Sequence, residues 1–171
     1  AAQAIEEHPE YKAEVDALQR ALEGGDKNLM KLWKKTRLWS LAEFKNIYKE
    51  LNVRFDHYFF ESEVEKEGRK VVESLLQRGI AERGEGGAVI VNLEQYKLGI
   101  FLLLKSDGAS LYATKDLALA GTKFSKYAAD ISLHVVDERQ SLYFKQLFKT
   151  LSLAGFNQPM AHVPYAFVKI K

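Results

Sequence analysis

A chain of 171 residues, 47% of them hydrophobic, is long enough to bury one good-sized core, or a lobe with an insertion. A net charge of +2 is too small to announce a nucleic-acid partner by itself, and no apolar run approaches the roughly 20 residues of a membrane helix. The acidic, helix-patterned start AAQAIEEHPEYKAEV does not read as a signal peptide, so an intracellular, cytoplasmic protein with no membrane partner is expected. With no cysteine, and with His8, His57, His134 and His162 scattered outside any metal-ligand spacing, neither a disulfide nor a structural metal is expected.

From Ala1 to about Leu51 the pattern is almost all helix, broken at Gly24-Gly25-Asp26, with Leu29, Leu32, Trp33 and Leu38 recurring at helical intervals. Asn52 to Phe59 alternates apolar and polar residues and predicts a strand. Glu61 to Arg78 returns to helix, its face made by Val64, Val71, Leu75 and Leu76, and stops at Gly79. Gly84 to Gly87 is a turn, because it joins a helix to a strand and does not open a helix as a phosphate loop would. AVIVNL and LGIFLLLK predict an antiparallel pair, with Asp107-Gly108 turning the chain toward SLYAT.

The last third changes character. Lys115 to about Tyr127 reads as helix, Ile131 to Asp137 as an apolar strand, Ser141 to Ala154 as helix and HVPYAFV as a second apolar strand. That alternation is the rhythm of a parallel α/β sheet, whose ligands bind beyond the carboxyl ends of the strands.

Few side chains suggest chemistry. If Thr114 caps the helix, Asp116 lies in its first turn, where the exposed amides keep a carboxylate ionised and able to hold a cation. Spacing alone favours a plainer reading, with Asp116 supporting the helix start and Tyr112 a half-buried core aromatic. Gln140 ends the loop DERQ at the carboxyl end of a strand, where a ligand-facing side chain would stand, although such a loop is most often simply solvated. Lys27, Lys31, Lys34, Lys35 and Arg37 form a basic cluster that could touch a phosphate backbone or merely be a solvated helix face.

Four co-linear stretches complete the reading: WSLAEFKNIYKELNVRFDHYFFES (Trp39 to Ser62), KSDGASLYATKDLA (Lys105 to Ala118), HVVDERQSLYFKQLF (His134 to Phe148) and HVPYAFV (His162 to Val168). Together they resemble arginyl-tRNA synthetases, a family of class I aminoacyl-tRNA synthetases, and the second is the most specific. The resemblance implies an α/β chain made of the second half of a Rossmann-like parallel-sheet catalytic fold, a helical N-terminal part and a small α+β insertion. The corresponding domains are 1–60, a helical connecting part ending in a strand; 61–110, the insertion; and 111–171, the catalytic half-fold.

The same resemblance implies that Tyr112, Asp116 and Gln140 line the pocket for the arginine side chain, and that ATP, accompanied by Mg2+, and tRNA(Arg) are the other substrates. It puts Tyr143, His162, Ala166 and Phe167 on the nucleotide side. Tyr143 stands where the family usually has histidine, and Ala166 where glycine is common. The HIGH-type and KMSKS-type signatures of class I enzymes do not occur in these residues, so the 171 residues alone are expected not to catalyse arginylation. The alternatives are a non-catalytic synthetase-like module that binds arginine or RNA, and an unrelated α/β nucleotide-binding domain; the presence together of Tyr112, Asp116 and Gln140 argues against both.

Overall fold

The structure is a computed structural model that describes residues 2–166, and it divides into two compact units between Tyr58 and Phe59. The first unit is helical: α1 (Ala2–Glu7), α2 (Tyr11–Glu23) and α3 (Lys27–Glu50). The reversal between α2 and α3 comes from three residues. Gly24 caps α2 through its N–H to the Arg20 carbonyl, Gly25 takes φ +83°, and the Asp26 carboxylate accepts hydrogen bonds from the N–H groups of Asn28 and Leu29 at 3.0 and 2.9 Å. Those two amides are orphans of the first helical turn, and Asp is among the best residues for satisfying them.

The strand expected over 52–59 does not form. Asn52 sits at φ +51° and completes a Schellman motif on α3, in which the Asn52 N–H reaches the Lys49 carbonyl and the Val53 N–H that of Tyr48. The alternating apolar residues then serve an aromatic cluster instead of a sheet face. Phe55 meets Tyr48 edge-on with centroids 4.8 Å apart and lies 5.9 Å from Tyr58. Alternation specifies a strand only where a neighbouring strand offers a ladder, and 52–59 pairs with none among the described residues.

The second unit opens with α4 (Glu61–Gln77), which ends in the same motif, Gly79 at φ +67° and the Ile80 N–H on the Leu75 carbonyl. Strands β1 (Glu82–Arg83), β2 (Val89–Asn92) and β3 (Ile100–Leu104) follow as an antiparallel sheet in that order. Val89, Val91, Phe101 and Leu103 point inward from it and are buried. Then come α5 (Tyr112–Tyr127), β4 (Ser132–Asp137), α6 (Ser141–Leu153) and β5 (Met160–Tyr165), with β4 and β5 parallel and Ser132 opposite Met160. The α/β character and the parallel pair are those expected from the sequence.

One hydrophobic core runs through the unit without a seam at residue 110. Val72 and Leu75 of α4, Val91 and Leu103 of the small sheet, Leu117 of α5, and Leu147 and Leu151 of α6 belong to it together. Two polar side chains bind the elements across it. The buried Thr114 hydroxyl donates to the Leu103 carbonyl at 2.6 Å, and the Gln146 amide donates to the carbonyls of Leu98 and Ile100 at 2.7 and 3.1 Å. Gly68 lets α4 lie directly on α5, since a Cβ there would stand 2.4 Å from the Thr114 carbonyl oxygen.

Gly68→Ala is therefore expected to lower the unfolding free energy by about 1–3 kcal/mol through overpacking. Gly121→Ala, on α5 with open space around the new methyl group, should raise it by about 0.5–1 kcal/mol through helix propensity. Urea denaturation of both variants checks the pair, and equal effects would refute the close approach.

Candidate functional site

The site is built at the start of α5. Asp107 accepts the Ala109 N–H at 2.9 Å, Gly108 turns the chain at φ +79°, and the Ser110 hydroxyl donates to Glu65 at 2.8 Å. The helix then begins at Tyr112 with no side-chain cap. Thr114 is not the cap that its position suggested, because its hydroxyl is engaged in the core with Leu103. Asp116 consequently lies in the second turn, beyond most of the help of the first-turn amides.

Tyr112 and Asp116, four residues apart, share one face of α5. Tyr112 is 69% exposed and so is not the core aromatic that spacing favoured. The Lys115 ammonium lies 5.9 Å from its ring centre and pairs with Glu61 at 2.6 Å.

Asp116 is half-buried. The Tyr143 hydroxyl, from the first turn of α6, donates to its Oδ2 at 2.5 Å. Burial pushes the Asp116 carboxyl up, while the Tyr143 hydrogen bond and the positive charge of Lys123 pull it back, and the net displacement is upward. The expectation that the first helical turn alone would keep it ionised is thus corrected. Burial, and next the Asp116 charge, hold the Tyr143 phenol protonated far above its usual range. Its ring meets Phe101 and Phe144 edge-on at 5.6 and 5.3 Å, which fixes the hydroxyl on the carboxylate.

Behind this pair stand the inward residues of the parallel strands. His134 of β4 and His162 of β5 are register partners and share a face. Phe144 lies against both, stacked on His162 at 4.8 Å and tilted to His134 at 5.0 Å. His162 Nε2 is 3.1 Å from the Val136 carbonyl, which makes that nitrogen a donor. His134 is pushed down from 6.5 to about 4, by burial first and then by the charges of Lys123 and His162. Lys123 is itself pushed down by burial and drawn back up by Asp116.

Sequence reasoning did not single out Lys123 or a role for His134. Asp116, Ala120 and Lys123 recur at helical intervals, so the signal for Lys123 was a second polar residue on an otherwise core-facing stripe. His134 alternates with Ser132 and Val136 on the inner side of β4, where period-two burial would have placed it.

At the carboxyl end of β4 the loop closes on itself. Asp137 accepts from the Arg139 N–H at 2.9 Å and from its Nε at 2.7 Å, and Arg139 holds the carboxyl below its ordinary range. Gln140 is exposed at the N-terminus of α6, three residues before Tyr143. Neither Tyr112 nor Gln140 hydrogen-bonds Asp116 among the described residues; Tyr143 does. Ala166 is exposed just past β5, and Phe167 lies outside the described residues. The basic residues Lys27 to Arg37 belong to α3 of the other unit.

Chemically, the arrangement is a carboxylate with one oxygen bound by a phenol and the other accepting no hydrogen bond among the described residues, one helical turn from an exposed tyrosine. A planar cation with several N–H donors complements it, since burial raises the cost of the charge until a partner arrives.

Residues 1–169 match the model of tRNA synthetases class I (R), catalytic domain. An arginine-tRNA ligase of Bdellovibrio bacteriovorus is 41% identical over 161 residues, 93% of this chain and 28% of the relative. One of Clostridium perfringens is 39% identical over 166 residues, 96% and 29% of the two chains. A probable cytoplasmic arginine-tRNA ligase of Schizosaccharomyces pombe is 36% identical over 155 residues, 88% and 25%. The arginyl-tRNA synthetase structure of Plasmodium falciparum superposes with a TM-score of 0.81 at 22% identity, covering 95% of this chain and 29% of that one. The chain thus spans under a third of the length of these relatives.

Two outcomes follow from the electrostatics. Because His134 binds its proton more weakly folded than unfolded, its contribution to stability is complete above about 6.5 and is lost as the pH falls toward about 4. After discounting for its partial exposure this is worth about 1–2 kcal/mol, and His134→Leu should remove that part of the pH dependence of urea unfolding. Tyr143→Phe should move the Asp116 carboxyl further up, read by 13C NMR of the aspartate side chain; an unmoved titration would separate the two groups.

Proposed function

Since the chain belongs to the class I arginyl-tRNA synthetase family, we propose that its protein is an arginine-tRNA ligase and that these residues supply the arginine pocket of its Rossmann-like catalytic fold. The observation that carries the reading is the half-buried Asp116 carboxylate, held by Tyr143 one helical turn from Tyr112. Asp116 receives the guanidinium through paired charge-assisted hydrogen bonds, and Tyr112 and Gln140 take further N–H donors at its rim. Within the 59–171 unit, residues 61–110 are the inserted α+β part and 111–171 the catalytic half-fold.

The guanidinium arrives permanently charged, so it compensates the carboxylate that burial disfavours. Lysine presents a point charge without the planar fork, and citrulline leaves Asp116 buried without a cation; both are rejected on that ground. In the reaction, the arginine carboxylate attacks the α-phosphate of Mg2+-accompanied ATP, releasing pyrophosphate and giving arginyl-adenylate. The arginyl group then passes to the terminal ribose of tRNA(Arg), and AMP leaves. The share of Tyr112, Asp116 and Gln140 is positioning. His162, Ala166 and Phe167 sit toward the adenine, while Tyr143, in place of the usual histidine, serves the carboxylate instead. No helix among the described residues is long and apolar enough to cross a membrane, and the reading puts the reaction in the cytoplasm.

In the intact protein, Asp116→Asn is expected to reduce kcat/KM for arginine by about 10^3-fold or more, without gain of lysine or citrulline activity. Arginylation of tRNA transcripts measures it. Full activity in the variant would take Asp116 out of the pocket, and a native protein that binds arginine without charging tRNA would be the non-catalytic module.

A further inference from the structure

Helix α3 carries a charge pattern that the arginine pocket does not use. At about 100° per residue, Lys27, Lys31, Lys34, Lys45 and Lys49 fall within an arc of about 60°. All five are exposed, and among the described residues none of them is in an ion pair. The helix's own acids, Glu43 and Glu50, project from the opposite side, about 130–150° away. From Lys27 to Lys49 the arc spans about 33 Å in two groups, Lys27 with Lys31 and Lys34, and Lys45 with Lys49, with the exposed Leu38 between them.

Such a stripe works against the helix. Lys27 with Lys31 and Lys45 with Lys49 at i,i+4 spacing, and Lys31 with Lys34 at i,i+3, are like-charge neighbours, an arrangement that weakens a helix and that interspersed acids would relieve. A solvated face needs no such segregation. A polyanion lying along the helix does reward it.

Two further observations fix the kind of polyanion. At the C-terminal end of the stripe Lys45, Lys49 and Arg54, against the single carboxylate of Asp56, border a groove of about 480 Å3 that Tyr48, Phe55 and Tyr58 also line. Cations around aromatic rings suit a nucleobase and its phosphate together. A membrane surface fits less well, because an interfacial helix must sink its apolar face into lipid, whereas Leu29, Leu32 and Trp33 of α3 face Val15, Leu18 and Leu22 of α2.

We propose that the lysine stripe of α3, ending in the aromatic groove beside Lys45 and Lys49, is a docking track for an RNA backbone. The identity of that RNA as the transfer RNA to be charged rests on the ligase reading; the track itself does not. The lysines act as phosphate contacts, so the interaction is strongly salt-dependent and carries little sequence preference.

The test is binding of a fluorescein-labelled tRNA(Arg) transcript to the intact protein across a salt series. Lys31→Gln/Lys34→Gln and Lys45→Gln/Lys49→Gln are compared with a control pair on the other unit, Lys66→Gln/Lys145→Gln. Each stripe pair should weaken binding about tenfold at low salt and flatten the log-log salt slope by about 1.5–2, two phosphate contacts being lost, while the control changes neither. All six positions are exposed, and circular dichroism checks that the variants fold. Native affinity and slope in both stripe variants would overturn the proposal. So would binding of phosphatidylserine/phosphatidylcholine vesicles that depends on the stripe when transcript binding does not. Asp116→Asn, which should abolish arginylation and leave transcript binding intact, separates the two readings: an unaltered arginylation rate sinks the pocket assignment alone.

Discussion

The close contact of α4 with α5 at Gly68 and Thr114 governs the rest of the second unit. Without a side chain at 68 the two helices approach closely, and on the same residue the Thr114 hydroxyl bonds the Leu103 carbonyl of the small sheet. That buried hydrogen bond ties the start of α5, from which Tyr112 and Asp116 project, to the small sheet. A buried hydroxyl deprived of its acceptor costs far more than the bond's net worth, so the position of the helix is strongly specified.

Above this contact sits a group of charges that the protein holds in tension. Burial pushes Asp116 up and Lys123 and His134 down, each toward its neutral form. The raised carboxyl is a stability cost whose sign is definite: the contribution is present at low pH and is lost as the pH rises through the elevated value. Tyr143 and Lys123 offset part of it. On the proposed reading a guanidinium completes this partial compensation, while Phe101 and Phe144 hold the Tyr143 ring whose hydroxyl meets the carboxylate.

Most elements were legible from periodicity and punctuation. Gly24-Gly25-Asp26 and Gly79 end helices for conformational reasons that sequence states directly, and the apolar runs around His134 and His162 form the expected strands, although Leu133, Val135 and Val163 on their outer face are exposed. Asn52 to Phe59 misled because alternation is shared by strands and by aromatic residues folding back onto a helix end. Thr114 misled because a hydroxyl beside a helix start can cap it or serve the core, and its acceptor, the Leu103 carbonyl, is brought to it by the packing of the small sheet, which local pattern does not encode. The same limit hid the partner of Asp116. Its link to Tyr143 crosses twenty-seven residues and depends on how α6 lies on α5, which local pattern does not encode.

The pairing of His134 with His162 across the two parallel strands has a consequence for how this chain can change over evolutionary time. Both rings rest on Phe144, and a slip of β5 by one residue against β4 would replace His162 with the exposed Val163 and leave His134 without its register partner. Substituting either ring alone leaves the other with a misfit neighbour, whereas a joint replacement keeps the layer filled. Positions 134, 144 and 162 therefore form one inherited unit, expected to drift together among descendants of this sequence or not at all.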